Sequence, residues 1–268
     1  MKVKLIAHTP NPEMVVACAA KLCYSKVGVE ELMEKQTPEG IEKFLNMLMG
    51  MGHESPIEHV SFTFAAEGVS RALTHQLVRH RLASYSQQSQ RYVNLENTFE
   101  YITPKEIAKY PYIKDRYARL MNHIFEEYVA ISHELLIAYI YEYLVEEKKI
   151  YSPDIMQDTE LMKKIMKEVN KKKYSQFEKI AIENARYVLP NSCETKIVFT
   201  MNARVLLNFL AHRDCSRAQD EIRDMAREVR KQLIEVAPTL FKYSGAGCRR
   251  GKCPEGAYSC GKPLPKVV

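Results

Sequence analysis

Four times in its first 106 residues this chain sets a short polar side chain directly before a proline, with an acid close behind. The sites are Asn11-Pro12-Glu13, Thr37-Pro38-Glu39, Ser55-Pro56-Ile57-Glu58 and Thr103-Pro104-Lys105-Glu106. Proline at the first helical position forfeits no hydrogen bond, a short polar oxygen accepts from an orphan N–H, and an early carboxylate complements the positive helix start. Each site is expected to open a helix, and each limits how far the segment before it can run.

Between these stops the apolar period switches. Residues 2–7 alternate as a strand, and a helix runs from the Asn11 cap to about Cys23. Ile41, Phe44, Leu45 and Leu48 form one helical stripe that Gly50 and Gly52 end, and Val60 to Ala65 alternate as a half-buried strand. Leu73, Leu77 and Val78 fall at helical spacing, a further strand is expected from Ser84 to Val93, and residues 112–147 are helical in period. Residues 151–174 are charged and read as an insertion carrying a short helix around Glu160–Val169 after Thr159. Phe177 to Tyr187 is helical up to Leu189-Pro190, Lys196 to Thr200 is a strand leading into a helix near Asn202, and the last long helix spans about Ser216 to Val236. Strands and helices intermix without a βαβ nucleotide fingerprint. The expected fold is α+β: a single domain with a mixed or antiparallel sheet packed by several long helices.

No Gly/Ser-rich linker divides the 268 residues, and 46% hydrophobic residues suffice for a core. No apolar run approaches the ~20 residues of a membrane span, and the first residues turn polar too soon for a signal peptide. A cytoplasmic protein with no membrane partner is expected, most of its seven cysteines being free thiols. The net charge of +6 suits anionic ligands but does not separate a nucleotide from a nucleic acid.

The chemistry concentrates at Arg79-His80-Arg81, which sits at a helix end and enters a run of hydroxyls and amides closing on Ser89-Gln90-Arg91-Tyr92. Adjacent cationic side chains are costly to bury without an anionic partner, and the donors that follow suit a phosphate and a heterocycle. Ser89 lacks any base adjacent in sequence, which disfavours a nucleophile and favours substrate hydrogen bonding.

Arg-His-Arg, seven residues, then Ser resembles the signature of the flavin-dependent thymidylate synthases. Three further segments resemble family patterns in order: His53-Glu54-Ser55-Pro56-Ile57-Glu58-His59, Asn184-Ala185-Arg186-Tyr187-Val188-Leu189-Pro190, and Asn202-Ala203-Arg204 through Asn208 to His212-Arg213. The resemblance covers residues 1–240, with an insertion at about 150–175, and leaves residues 241–268 as a Cys/Gly/Pro-rich tail. It implies synthesis of thymidylate from deoxyuridylate by reductive methylation. Methylenetetrahydrofolate would be the carbon donor, FAD the hydride source and NADPH its reductant, in a homotetramer. The family pattern commonly has Asn and an acid where Ser86 and Gln87 stand here.

Residue by residue, the resemblance assigns deoxyuridylate to Gln76, Leu77, Val78, Arg79, Gln87, Gln88, Ser89, Gln90, Arg91, Arg186 and Arg213. It assigns FAD to His53, Ser55, Glu58, Arg79, His80, Arg81, Gln87, Asn202, Ala203, Arg204 and Asn208. Arg213 is the catalytic residue, favouring loss of the proton at nitrogen 3 of the uracil, whereas the pair Arg213-Asp214 taken alone reads as a surface ion pair of neighbours. His80 and Arg81 are expected to face the flavin ring as positive charges. Asn202 and Asn208, six apart, are not expected to share a helix face.

A rival of another class is a nucleic-acid-binding protein using the basic 71–91 segment and the tail. It would need a basic stripe with stacking aromatics, and none is evident, so no nucleic-acid partner is expected. Cys248, Cys253 and Cys260 in the tail could ligate zinc only with a fourth ligand such as Cys193 or Cys215. Their spacing is not a paired CxxC, which favours a thiol-bearing tail or a disulfide over a metal site. No metal is implied in the catalytic site.

Overall fold

The computed structural model of the protein describes residues 1–90, 100–150 and 157–266. These form two compact units, residues 1–87 with 195–268, and residues 88–194 between them in sequence.

The first unit is built on a four-stranded sheet of order β1-β2-β4-β3, with β1 at Lys2–His8, β2 at Ser61–Ser70, β3 at Ala83–Gln87 and β4 at Glu194–Asn202. β1 runs antiparallel to β2, and β3 antiparallel to β4 with Tyr85 opposite Phe199. Alternation decides which face is buried: Phe62, Phe64 and Ala66 of β2 and Ile197, Phe199 and Met201 of β4 all point into the core. Helices α1 (Pro12–Leu22), α3 (Pro38–Gly50), α8 (Ala203–Arg213) and α9 (Asp220–Val236) contribute buried residues to the same cluster, α2 (Val29–Glu34) contributing none. The expected stripe of α3 is present, with Ile41, Leu45 and Leu48 buried and Phe44 packed against them.

The proline signals mark element starts faithfully, yet only one caps as expected. Thr37 accepts from the Gly40 N–H at 3.1 Å. Asn11 adopts the left-handed conformation with no side-chain cap bond, and Ser55-Pro56 opens a single 3-10 turn, Pro56–His59. Pro104, not Thr103, precedes the four-residue helix α5 (Lys105–Ala108). Proline pre-sets φ whatever the neighbouring oxygen does, so the start survives without the cap.

The second unit holds α5, α6 (Pro111–Tyr141) and α7 (Thr159–Ala185), and α6 and α7 pack along one another. α6 runs on into a π-helical turn, Glu142–Glu147. The expected helix at Glu160–Val169 is present, capped by Asp158 at 3.0 Å to the N–H groups of Glu160 and Leu161. It breaks at Asn170 (φ −158°) and resumes, because the Asn170 side chain caps the second half through the Lys173 N–H at 3.0 Å. The segment read as an insertion thus buries Met162, Met166 and Tyr174 against Leu136, Ile140 and Leu144 of this unit.

Candidate active site

The strand expected over Ser84–Val93 ends at Gln87, and Arg91 lies outside the described residues. Upstream of it, α4 (Arg71–Leu77) starts at Ser70, whose hydroxyl oxygen accepts from the Leu73 N–H at 3.0 Å. Ser70 is itself held by the Glu221 carboxylate, which accepts from its N–H at 2.7 Å and its hydroxyl at 2.5 Å. Leu73 and Leu77 are buried, so α4 is anchored and the basic triplet emerges from its end. Leu82 then takes a left-handed φ of 63° with its side chain 86% exposed, turning the chain into β3. A non-glycine there is disfavoured, which makes this turn a locally strained one. The Tyr85 hydroxyl holds it, lying 2.6 Å from the His80 carbonyl and 2.9 Å from that of Leu77, with one proton to share between them. Burial pushes the Tyr85 phenol up to about 12, which keeps that proton in place.

α8 supplies the facing wall. Ala203, Leu206, Phe209 and Leu210 are buried, while Arg204, Val205, Asn208, Ala211 and His212 line a cleft of about 1080 Å³. The residues of each set recur at three- and four-residue steps, as an amphipathic helix requires. Asn202 lines the same cleft as Asn208, contrary to the spacing argument. Asn202 is the cap, in an extended conformation, so helical angular arithmetic does not apply to it. Its side-chain oxygen accepts from the Val205 N–H at 2.9 Å.

Six arginines line the cleft, Arg79, Arg81, Arg204, Arg213, Arg217 and Arg250, against two carboxylates, Glu58 and Glu255. Both acids are taken: Glu58 pairs with Arg204, which also holds Glu54 at 3.0 Å, and Glu255 accepts from Arg217 at 3.0 Å.

Arg213 does not pair with its neighbour. It points to His80 and Gln76, donating from Nε to His80 Nε2 at 3.1 Å, from Nη1 to Gln76 Oε1 at 3.2 Å and from Nη2 to the Gln76 carbonyl at 3.3 Å. Three of its five N–H donors are engaged, and all its partners are neutral. Asp214 turns the other way and is fully buried. His80 corrects the reading of a cationic triplet. Burial first, then the nearby charge of Arg213 and the neighbouring His212, lowers its pKa to about 4. Its imidazole is therefore neutral at physiological pH, with Nε2 as acceptor, and its ring stands edge-on to Phe209.

Of the sequence-assigned residues, Glu58, Arg79, His80, Arg81, Asn202, Arg204, Asn208 and Arg213 come together here. Gln76 joins through Arg213. Gln87 donates instead to Thr74 and Thr195 at 3.0 and 3.3 Å, Leu77 and Ala203 are buried in the core, and Val78, His53 and Ser55 are exposed outside the cleft wall. Gln88, Ser89, Gln90 and Arg186 belong to the second unit, where the Arg186 Nε donates to the Glu183 carbonyl at 3.2 Å. Sequence reasoning missed Leu82, His212, Cys215, Arg217 and the tail residues Gly247, Arg250, Pro254 and Glu255. The pattern Arg249-Arg250 between glycines was the only signal for the tail's part.

All seven cysteines are free thiols, so the tail disulfide is not formed, and among the described residues no three His, Cys, Asp or Glu side chains gather as a metal site. Among the described residues no helix is long and apolar enough to cross a membrane.

An arginine-lined cleft with its own acids neutralised, set on an α+β scaffold, is electrostatically suited to a multiply charged small anion. The family model described as "Thymidylate synthase complementing protein" matches residues 4–239. The chain is 56% identical over 262 residues to the flavin-dependent thymidylate synthase of Clostridium tetani (strain Massachusetts / E88), covering 98% of this chain and 94% of that one. It is 41% identical over 263 residues to the protein of the same name from Geobacter sulfurreducens (98% and 94% covered), and 37% over 264 residues to that from Pyrococcus horikoshii (95% and 90% covered). The chain belongs to the flavin-dependent thymidylate synthases, a family of enzymes. The matched stretch, residues 4–239, includes residues of both compact units.

Proposed function

We propose that the protein converts deoxyuridylate to thymidylate by reductive methylation, as a cytoplasmic homotetramer using methylenetetrahydrofolate and NADPH. The observation that carries this reading is the cleft between the Arg79–Leu82 turn and α8, in a chain of this family. Its residues fit a flavin dinucleotide: about 1080 Å³ lies at the upper end of the roughly 300–1,000 Å³ of ligand pockets, as a large ligand needs, and the excess of guanidinium over carboxylate suits a pyrophosphate. Glu58, Arg79, His80, Arg81, Asn202, Arg204 and Asn208 would hold FAD, with His53, Ser55, Gln87 and Ala203 in supporting places. When bound, the flavin supplies the hydride that reduces the transferred carbon to a methyl group.

The chain's own part is positioning and electrostatics. The family resemblance assigns Arg79 and Arg91 to the nucleotide phosphate, and Arg186 and the Gln87–Gln90 segment to the rest of the nucleotide. Ser89 orients substrate without attacking it. Arg213, held in plane by His80 and Gln76, stabilises the negative charge left when nitrogen 3 of the uracil loses its proton. Because His80 is neutral and accepts from Arg213, it adds no charge of its own beside that guanidinium.

The test is a spectrum and an assay on one preparation. Purified protein should be yellow, release FAD on denaturation, and form thymidylate from deoxyuridylate, methylenetetrahydrofolate and NADPH. Colourless protein that shifts oligonucleotides with a steep salt dependence would replace this reading with a nucleic-acid-binding one.

A further inference from the structure

The tail beyond residue 239 is built into the cleft. Its root is fixed by Arg230, which donates to the Ser244 and Lys242 carbonyls at 2.9 and 3.0 Å. Buried Asp214 then takes hold of it, accepting from the Arg249 Nε at 2.7 Å, the Ala246 N–H at 3.3 Å and the Arg227 Nε at 3.2 Å. Gly245 sits at φ +110°, and a Cβ there would stand 2.7 Å from the Asp214 carboxylate, so the close approach needs glycine. Further along, Arg217 donates to Glu255 and to the Tyr258 carbonyl at 2.9 Å, with its guanidinium 5.7 Å from the Tyr258 ring.

The two adjacent arginines of the tail have different fates. Arg249 is drawn inward, its side chain 16% exposed against Asp214. Arg250, one residue on, is exposed, lines the cleft and makes no ion pair among the described residues. Arg79 and Arg81 are likewise without an ion pair among the described residues. Of the four arginines the cleft acids leave over, Arg79, Arg81 and Arg213 are already assigned to the flavin or the nucleotide, which leaves Arg250 with no assigned anion.

We propose that the tail forms a wall of the active cleft and that Arg250 is a specificity-determining residue for the anionic appendage of a co-substrate. The recognised chemistry is a phosphate monoester or carboxylate, from either the 2′-phosphate of NADPH or the glutamate carboxylates of the folate. The identity of these co-substrates rests on the proposed reaction. The placement of Arg250 does not. A fork of five donors suits either oxyanion, and its place on the exposed rim suits a group that comes and goes each turnover.

The test uses full-length holoprotein and the variants Arg250→Ala and Arg250→Lys, with melting curves confirming equal folding. Calorimetry compares NADPH with NADH, which differ by that one phosphate, and steady-state assays compare monoglutamyl with triglutamyl methylenetetrahydrofolate. Arg250→Ala is expected to weaken one of the charged members about tenfold, leaving its less charged counterpart within twofold, with Arg250→Lys between. A loss confined to NADPH names the phosphate, and a loss confined to the triglutamate names the carboxylates. Unchanged ratios in both pairs overturn the proposal. Parent protein that makes no thymidylate would overturn the proposed reaction instead, and calorimetry of NADPH against NADH and of the two folate forms, which needs no turnover, would still decide Arg250.

Discussion

Arg213 and Asp214 are neighbours in sequence and belong to opposite electrostatic regimes. Asp214 sits in a buried knot where one carboxylate meets Arg227, Arg249 and a backbone N–H. Arg213 faces a cleft where arginines outnumber acids six to two and the imidazole beside it is kept neutral. Charge is cancelled where the tail must be held and left uncancelled where a ligand must bind. Only the knot contributes stability in this way, since a buried charge stripped of its partner is the expensive state.

The sharpest way to break the contrast is to open the knot. Asp214→Ala should destabilise the fold by on the order of 3 kcal/mol, since it leaves Arg249 facing a buried void and releases the tail. Urea unfolding of parent and variant checks it, and a variant of parental stability would mean that the tail is held by Arg230 and Arg217 alone.

On the cleft side, Arg213→Ala should spare the fold and the flavin yet weaken deoxyuridylate binding at least tenfold, about 1.5–3 kcal/mol for a charge-assisted contact. Arg213→Lys should recover little, because a point charge cannot bridge His80 and both Gln76 oxygens at once. Nucleotide titration followed separately from NADPH-driven flavin reduction measures this. Loss of flavin itself would move Arg213 into the cofactor site.

The smallest effect lies between the two regimes, at His80. Between pH 6.5 and about 4 the unfolded chain carries a proton on this imidazole that the folded chain refuses. Stability from this group is therefore full above 6.5 and is lost as pH falls through that window. Thermal melts from pH 7 to pH 4 should fall less steeply for His80→Asn than for the parent. Parallel curves would show that His80 takes up its proton in the folded state.

Element types were largely legible, because Thr37-Pro38, the stripe of α3 and the alternation of β2 are local consequences of φ, capping and period. Where the reading slipped, either the backbone at an element's start did not follow the expected helix or a distant partner decided the matter. Ser55-Pro56 reads as a helix start but yields one turn. Asn202 and Asn208 share the cleft because a cap does not follow helical angles. The tail, read as lying outside the family resemblance, lines the cleft because Asp214, 35 residues earlier, holds Arg249.

By itself the sequence determined that helical turns begin at or just after the prolines, that β2 turns alternate residues inward, that β4 is a strand, and that a basic loop follows α4. Such choices depend on backbone sterics and on apolar periods of two and 3.6, which act over a few residues. Only the tertiary structure decided which charges survive. His80 looks cationic beside two arginines, yet burial and Arg213 leave it neutral. Arg249 and Arg250 are identical neighbours, yet one is cancelled and one faces the cleft. Charge state and pairing depend on desolvation and on partners far along the chain, and no local pattern encodes either.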